Sequence, residues 1–316
     1  MTSPAARLRS APLCLTLVLC CLVGSRSVAA GDISIKATQD DNTATILRDG
    51  RPVLVYHKPG TPRKPYVQAL YTPGGVQILR DSPADHKHHH GLMFAVAADG
   101  VDFWSETPNC GRQTPAPSSD TRSSTVNGSY RTTLLQRLDW TSAAGKPALG
   151  ETRSLEIRGE PDLPLTLLTW RSRLETPADR PTVVLTGSHY FGLGMRFVTS
   201  MDAAGRFFNS EGKEGPTVRG SERVSPAKWC AYTSQADGKP VTVAMFDSPR
   251  NPRPAQFFTM RPFAYLSATL NLWKQPMTIK RGEPIDLCYG VALWDGQVEP
   301  AGVQAVYARW VQGTEP

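Results

Sequence analysis

Short apolar runs separated by turn residues follow one another along nearly the whole of this chain. No stretch that could form a crossover helix stands between them. The runs with strand character are Thr43–Leu47, Pro52–Tyr56, Val76–Leu79, Gly91–Val96, Tyr130–Leu138, Ser154–Ile157, Leu165–Leu174, Thr182–Leu185, Met195–Val198, Val241–Phe246, Leu266–Leu272 and Leu287–Leu293. Asp49-Gly50, Pro73-Gly74-Gly75, Asp99-Gly100 and Asn127-Gly128 punctuate them, as hairpin turns require residues that tolerate positive φ. Without helices of ten or more residues to carry parallel crossovers, the pattern predicts an all-β fold, an antiparallel β-sandwich or supersandwich. One exception lies at the end. Val303, Val306, Tyr307, Trp310 and Val311 recur at helical spacing and predict a C-terminal helix covering part of a sheet. Thr107–Ser124, rich in Pro, Ser and Thr, and Asn209–Pro226, rich in Gly and charge, read as surface loops.

Residues 1–30 hold Arg7, Arg9 and Arg26, no acid, and the apolar run Leu13–Val23. That is a signal peptide by pattern, with small-residue cleavage sites around Ser27–Ala30. The expected organisation is therefore a leader over 1–30 and a single β-sandwich domain over 31–316, secreted or periplasmic, with no transmembrane segment after leader removal. Loss of the three leader arginines lowers the formal charge from +7 to +4. The remaining cations are scattered rather than interleaved with aromatics, so no nucleic-acid partner is expected. Of six cysteines, three leave with the leader. Cys110, Cys230 and Cys288 allow one bridge plus one thiol but exclude a disulfide scaffold, and three buried thiols is the favoured reading. With 40% hydrophobic and 20% charged residues, a disordered chain is excluded.

Chemistry concentrates in Asp85-His86-Lys87-His88-His89-His90-Gly91. If the segment is extended, His86, His88 and His90 share a face, the ligand count of an open zinc, iron or copper site. The imidazoles could equally move protons, tuned by Asp85 or Glu106. The metal and any cofactor stay unassigned. His86, His88, His89, Glu106 and His189 are the candidate catalytic groups. Trp104, beside Glu106, reads equally as a sugar-stacking ring or as core. Arg250 and Arg253, on a rigid Pro-containing turn with Arg261 close behind, are candidate anion forks for substrate. No nucleophile elbow, phosphate loop or H-E-x-x-H helix occurs.

Asp85-His86-Lys87-His88-His89-His90-Gly91-Leu92, Gly100-Val101-Asp102-Phe103-Trp104 and Asp247-Ser248-Pro249-Arg250-Asn251-Pro252-Arg253 resemble the PmoA-like family of secreted bacterial proteins. That family carries the label methane oxygenase and has no assigned function. The chain departs from the family pattern at His90, where many members carry arginine. A second segment, Leu185-Thr186-Gly187-Ser188-His189-Tyr190-Phe191-Gly192-Leu193, is similar, with spacing offset by one, to the histidine segment of aldose mutarotases. That similarity implies a galactose mutarotase-like supersandwich and a sugar or oligosaccharide ligand. It also implies that His189 faces one of His86, His88 or His90 across a cleft, with Glu106 as acid–base partner. The expected function is an exported carbohydrate-active enzyme (hydrolase, lyase or epimerase). The alternatives are a non-catalytic sugar-binding envelope protein and the metal-dependent oxygenase of the family label.

Overall fold

The computed structural model describes residues 1–2, 34–58, 63–202 and 205–314, so the predicted leader lies outside the described residues. Type I′ turns organise the hairpins. Asp49-Gly50, Asp99-Gly100, Asn127-Gly128 and Asp237-Gly238 each hold two consecutive positive φ angles, matching the right-handed twist of the strands they join. Three antiparallel sheets result among the described residues. The largest has ten strands in the order Ile35–Gln39, Thr43–Arg48, Arg51–His57, Tyr66–Leu70, Leu92–Ala95, Gly192–Arg196, Tyr265–Thr269, Gln256–Met260, Glu222–Pro226 and Thr217–Arg219. The second has eight: Arg206–Asn209, Trp229–Ala236, Lys239–Asp247, Ile285–Asp295, Leu163–Glu175, Pro147–Glu160, Ser129–Thr141 and Arg112–Val126. A small third sheet joins Met277–Lys280, Thr182–Thr186, Ala97–Ala98 and Val101–Asp102.

Side-chain alternation builds the layers. In Leu163–Glu175, Leu168, Trp170 and Leu174 point between the two large sheets and share a core with Tyr56, Phe94, Leu193 and Met195 of the ten-stranded sheet. Leu165 and Leu167 point the other way, as a period of two demands. They meet the α-helix Pro300–Gly313, which packs Val303, Val306, Tyr307 and Trp310 on the outer face against Phe246, Trp229 and Ala292. Trp310 donates its Nε1–H to Thr169 Oγ1 at 3.0 Å. It lies over Gly290, where a Cβ would meet Trp310 Cε2 at 2.8 Å. Trp310→Ala is expected to cost about 3–5 kcal/mol of stability, read as a lower denaturant midpoint.

The core is not wholly apolar. Glu151 and Arg153, both fully buried, pair at 2.8 Å inside the sandwich. Trp140 Nε1 and Ser172 Oγ donate to the Glu151 carboxylate at 3.0 and 2.6 Å. Arg153 donates to Pro65 O, Gln113 Oε1 and Tyr56 OH at 2.9, 3.0 and 3.3 Å. Every charge in the cluster therefore has hydrogen-bonded company, the condition under which a buried ion pair is tolerated.

Two expected loops are partly strand. Arg112–Val126 runs for 15 residues through the Pro- and Ser-rich segment. It is the edge of the eight-stranded sheet, the one place where Pro115 and Pro117 can forgo donating to a neighbour, and the register shifts between Pro115 and Ser119. Within Asn209–Pro226 the hairpin Thr217–Arg219 and Glu222–Pro226 forms. Conversely, Val76–Leu79 makes only isolated bridges, Tyr71 with Gln77 and Leu79 with Phe197. Cys110, Cys230 and Cys288 are free thiols, so the allowed bridge is not formed. Among the described residues no helix is long and apolar enough to cross a membrane.

Candidate functional site

The histidine run is not extended. His86 N–H donates to Pro83 O and His89 N–H to His86 O, both at 2.9 Å, so two successive turns coil the segment before it enters Leu92–Ala95. Coiling replaces the expected set. His86, His88 and His89 come together, with ring centroids 4.6 Å apart for His86–His89 and for His88–His89 and 5.8 Å for His86–His88. His90 turns away behind them. The three rings line a cleft of about 180 Å³ with Trp104, Tyr190, Arg219, Glu222, Phe258, Met260, Phe263 and Tyr265. Apart from Trp104, which follows Val101–Asp102 of the small third sheet, those residues arise from neighbouring strands or strand ends of the ten-stranded sheet, so that sheet is the main scaffold.

His90 serves the wall rather than the cleft. Its Nδ1 lies 2.7 Å from Asp81 Oδ1 and its Nε2 3.1 Å from Glu106 Oε1. Burial opposes its charged form, but these two hydrogen bonds to carboxylates prevail and raise the ring above its ordinary value. Glu106 also accepts from the buried Lys64 Nζ at 2.9 Å, and Lys64 donates to Trp104 O at 2.8 Å. Burial pushes Glu106 upward, yet the His90 hydrogen bond and the Lys64 charge override it and hold the carboxyl at about 2. Glu106 therefore stays ionised, does not line the cleft, and holds Lys64, whose Nζ also donates to Trp104 O. That placement corrects its expected position as acid–base partner at the cleft.

Because the folded value of Glu106 lies below the 4.5 of an unperturbed carboxyl, its contribution is complete above pH 4.5. It fades as pH falls toward 2. At 1.36 kcal/mol per pKa unit that contribution is roughly 3 kcal/mol. Urea titrations between pH 2 and 7 are expected to show this acid limb, and Glu106→Gln to be less stable at pH 7 and flatter below pH 4.5.

The carboxylate inside the cleft is Glu222. Arg219 Nη2 donates to its Oε1 at 2.7 Å and His189 Nε2 to its Oε2 at 2.8 Å. Burial would raise Glu222, but the hydrogen bonds from Arg219 and His189 win and lower it. His189 thus stands behind Glu222, braced by Phe258 and Trp273 with ring centroids at 5.5 Å, and does not itself line the cleft. In place of the expected direct face-off between His189 and the histidine run, His189 holds Glu222, which lines the same cleft as His86, His88 and His89.

Burial lowers His88, with the Lys64 charge adding to it. Burial, with His88 and His86 beside it, takes His89 down to about 2. Both are neutral imidazoles at neutral pH. His86, a third exposed at its side chain, lies with Nδ1 3.0 Å from Asp85 Oδ2. Phe263 carries the His86 ring at 4.6 Å and the buried Arg196 guanidinium at 3.7 Å. Three wall residues keep buried polar atoms without a protein partner: His89 Nδ1, Trp104 Nε1 and Tyr265 OH. Trp104 is only 1% exposed and stacks on Phe191 at 5.1 Å, so it is core and cleft wall at once.

Among the three imidazoles His86 and His89 stack, and His88 stands edge-on to both. Among the described residues no group of three His, Cys, Asp or Glu side chains is arranged to hold a metal ion. The donor set therefore does not fit the metal centre considered from sequence. Arg250 and Arg253 lie elsewhere. Arg253 Nη1 donates to Gln275 O at 2.7 Å and Leu270 O at 3.3 Å, and Arg250 Nη1 to Thr314 O at 3.4 Å. Both tie down backbone carbonyls, which corrects their expected place at substrate. The neighbouring Asp247 accepts from Asn251 Nδ2 and Ala255 N–H at 2.7 and 2.9 Å, so that motif is a structural knot. Sequence reasoning missed Glu222, Arg219, Phe258 and Phe263. Glu222 and Arg219 sit in a charged, glycine-rich stretch that carries no signal beyond a loop.

Fold and cleft together define an antiparallel β-sandwich protein with a polar, aromatic-walled site on its largest sheet. The chain belongs to DUF6807, a family of unknown function, which it matches over residues 43–308. The PmoA-like family stays a resemblance. No curated protein sequence matches the chain. Solved structures of similar fold include YeaD of Salmonella typhimurium, provisionally described as a mutarotase, at 12% identity, TM-score 0.39, covering 83% of this chain and 94% of that one. A galactose mutarotase related enzyme from Lactobacillus acidophilus is similar at 9% identity, TM-score 0.40, covering 84% and 99%. The Slr1438 protein of Synechocystis sp. PCC 6803 is similar at 10% identity, TM-score 0.36, covering 83% and 96%. Likeness this distant transfers no residue role.

Proposed function

We propose that the protein is an exported carbohydrate-active enzyme whose cleft binds one sugar unit and moves protons on it. The observation that carries this reading is an ionised, doubly hydrogen-bonded carboxylate, Glu222, sharing a small aromatic-walled cleft with three imidazoles. At about 180 Å³ the cleft lies below the roughly 300–1,000 Å³ of pockets for drug-sized ligands and suits a single polar ring. Aromatic faces take the C–H surface of such a ring, and the unpartnered His89 Nδ1, Trp104 Nε1 and Tyr265 OH give its hydroxyls partners.

In this reading Glu222 accepts the proton of a sugar hydroxyl while an imidazole delivers one to the ring or glycosidic oxygen. His86 is assigned the delivery. Asp85 fixes its Nδ1, and its partial exposure lets solvent restore the proton. His88 and His89, neutral, orient hydroxyls through one donor and one acceptor each. His189 and Arg219 hold Glu222 ionised and in place. Export rests on the leader-like residues 1–30.

The test is a panel of reducing sugars and short glycans. Binding would be followed by calorimetry, anomer interconversion by polarimetry, and bond cleavage or carbon epimerisation by NMR in deuterated water. Catalysed change in at least one sugar is expected. Binding without any product would remove the enzyme and leave a sugar-binding protein, and absence of both would remove the reading altogether.

A further inference from the structure

A larger cleft, about 760 Å³, lies on the other side of strand Glu222–Pro226. Alternation makes that strand the partition: Glu222 lines the smaller cleft, Arg223 and Ser225 the larger. Met260 lines both. The walls of the larger cleft carry four cations, Arg206, Lys213, Arg223 and Arg261, against one carboxylate, Glu214. Glu214 is taken by Arg223 at 3.2 Å. Among the described residues Arg206, Lys213 and Arg261 have no carboxylate partner, whereas Arg153, Arg173, Arg180 and Arg309 all do.

Two of the three unpaired cations are held in position. The Arg206 guanidinium carbon lies 5.2 Å from the Phe208 ring centroid and that of Arg261 5.9 Å from Phe207. Phe207 is itself stacked on Tyr232 at 4.3 Å. A guanidinium resting on a ring keeps its N–H edges free for oxyanions while losing little entropy on binding. The same arrangement covers those ring faces, so they offer no platform for stacking a nucleobase. Ser221, Thr259 and Asn209 add hydroxyl and amide groups to the wall. What the cleft presents is fixed positive charge among small polar groups, the complement of a polyhydroxylated anion.

We propose that the larger cleft is an accessory site for an acidic glycan, carboxylated or sulfated. It binds the charged units of a chain next to the cleft that holds Glu222. The assignment deepens the carbohydrate reading and rests on it for the sugar class, while the charge recognition stands on the cations alone.

The test is calorimetry on the full chain with three oligosaccharides of equal length: neutral, carboxylated (an oligogalacturonate) and sulfated. At least one acidic probe is expected to bind tenfold or more tightly than the neutral one, with affinity falling as salt rises from 50 to 500 mM. Whichever acidic arm binds better identifies the anion. The double variant Arg206→Glu, Lys213→Glu is expected to bring the acidic probe level with the neutral one. Because a double reversal could disturb folding, the salt series on the unaltered protein is a second and independent measure. Equal affinity for acidic and neutral probes, no salt dependence, or tighter binding of an oligonucleotide of equal charge would each overturn the proposal. Its failure is separable from that of the catalytic reading. In the unaltered protein, acidic-glycan binding without turnover of any sugar keeps this site and removes the other, whereas Glu222→Gln leaves these cations in place and is expected to lose turnover while keeping acidic-glycan binding.

Discussion

Glu222→Gln is expected to lower turnover of a responsive sugar by about two to four orders of magnitude while leaving the melting temperature nearly unchanged. Glutamine keeps the shape and can still accept from Arg219, but it cannot take a proton. His86→Ala is expected to cost a comparable factor through loss of proton delivery. His189→Ala acts only through Glu222, so it is expected to cost about tenfold and to shift the acid limb of the pH–rate profile upward. The sign follows from the carboxyl's environment. Glu222 is held below its ordinary value partly by the His189 hydrogen bond, and its removal lets the value rise. A Glu222→Gln enzyme as active as the unaltered one would end the assignment, whatever the fold.

A large structural effect is expected inside the sandwich. Arg153→Ala leaves the Glu151 carboxylate buried with Trp140 and Ser172 as its remaining donors and opens a void beneath Trp170, over which the guanidinium lies at 4.7 Å. Removing one partner of a buried pair costs about 3–5 kcal/mol, much of the stability of an ordinary domain. Equilibrium urea unfolding would show it as a large fall in midpoint. Replacing Glu151 and Arg153 together by leucine and methionine is expected to restore most of the loss, because no charge is then stranded. If the double variant were as damaged as Arg153→Ala, packing rather than the stranded charge would be the cause.

How far the sequence could be read depends on the range of the interactions involved. Turn pairs such as Asp49-Gly50 and Asn127-Gly128 act over four residues, and they form the hairpins expected of them. The helix Pro300–Gly313 buries four of the five residues whose spacing predicted it. Arg112–Val126 was hidden because its prolines are compatible with a strand only at a sheet edge, and edge position is a tertiary fact. The histidine run misled for a related reason. Alternation places His86, His88 and His90 together only in extended chain, whereas the backbone bonds to Pro83 and His86 coil it and select His86, His88 and His89.

The residues alone determined an antiparallel sandwich with one covering helix, since periodicity and turn chemistry are local and survive in any register. They also marked the histidine cluster as the place to look. Only the folded chain decided which carboxylate lines the same cleft. Glu106 and Glu222 look alike in sequence, but one is locked between Lys64 and His90 behind Trp104, while the other is carried to the cleft on a strand more than 100 residues away. Local propensity cannot encode that choice, because it depends on which strands become neighbours and which side chains lose their water.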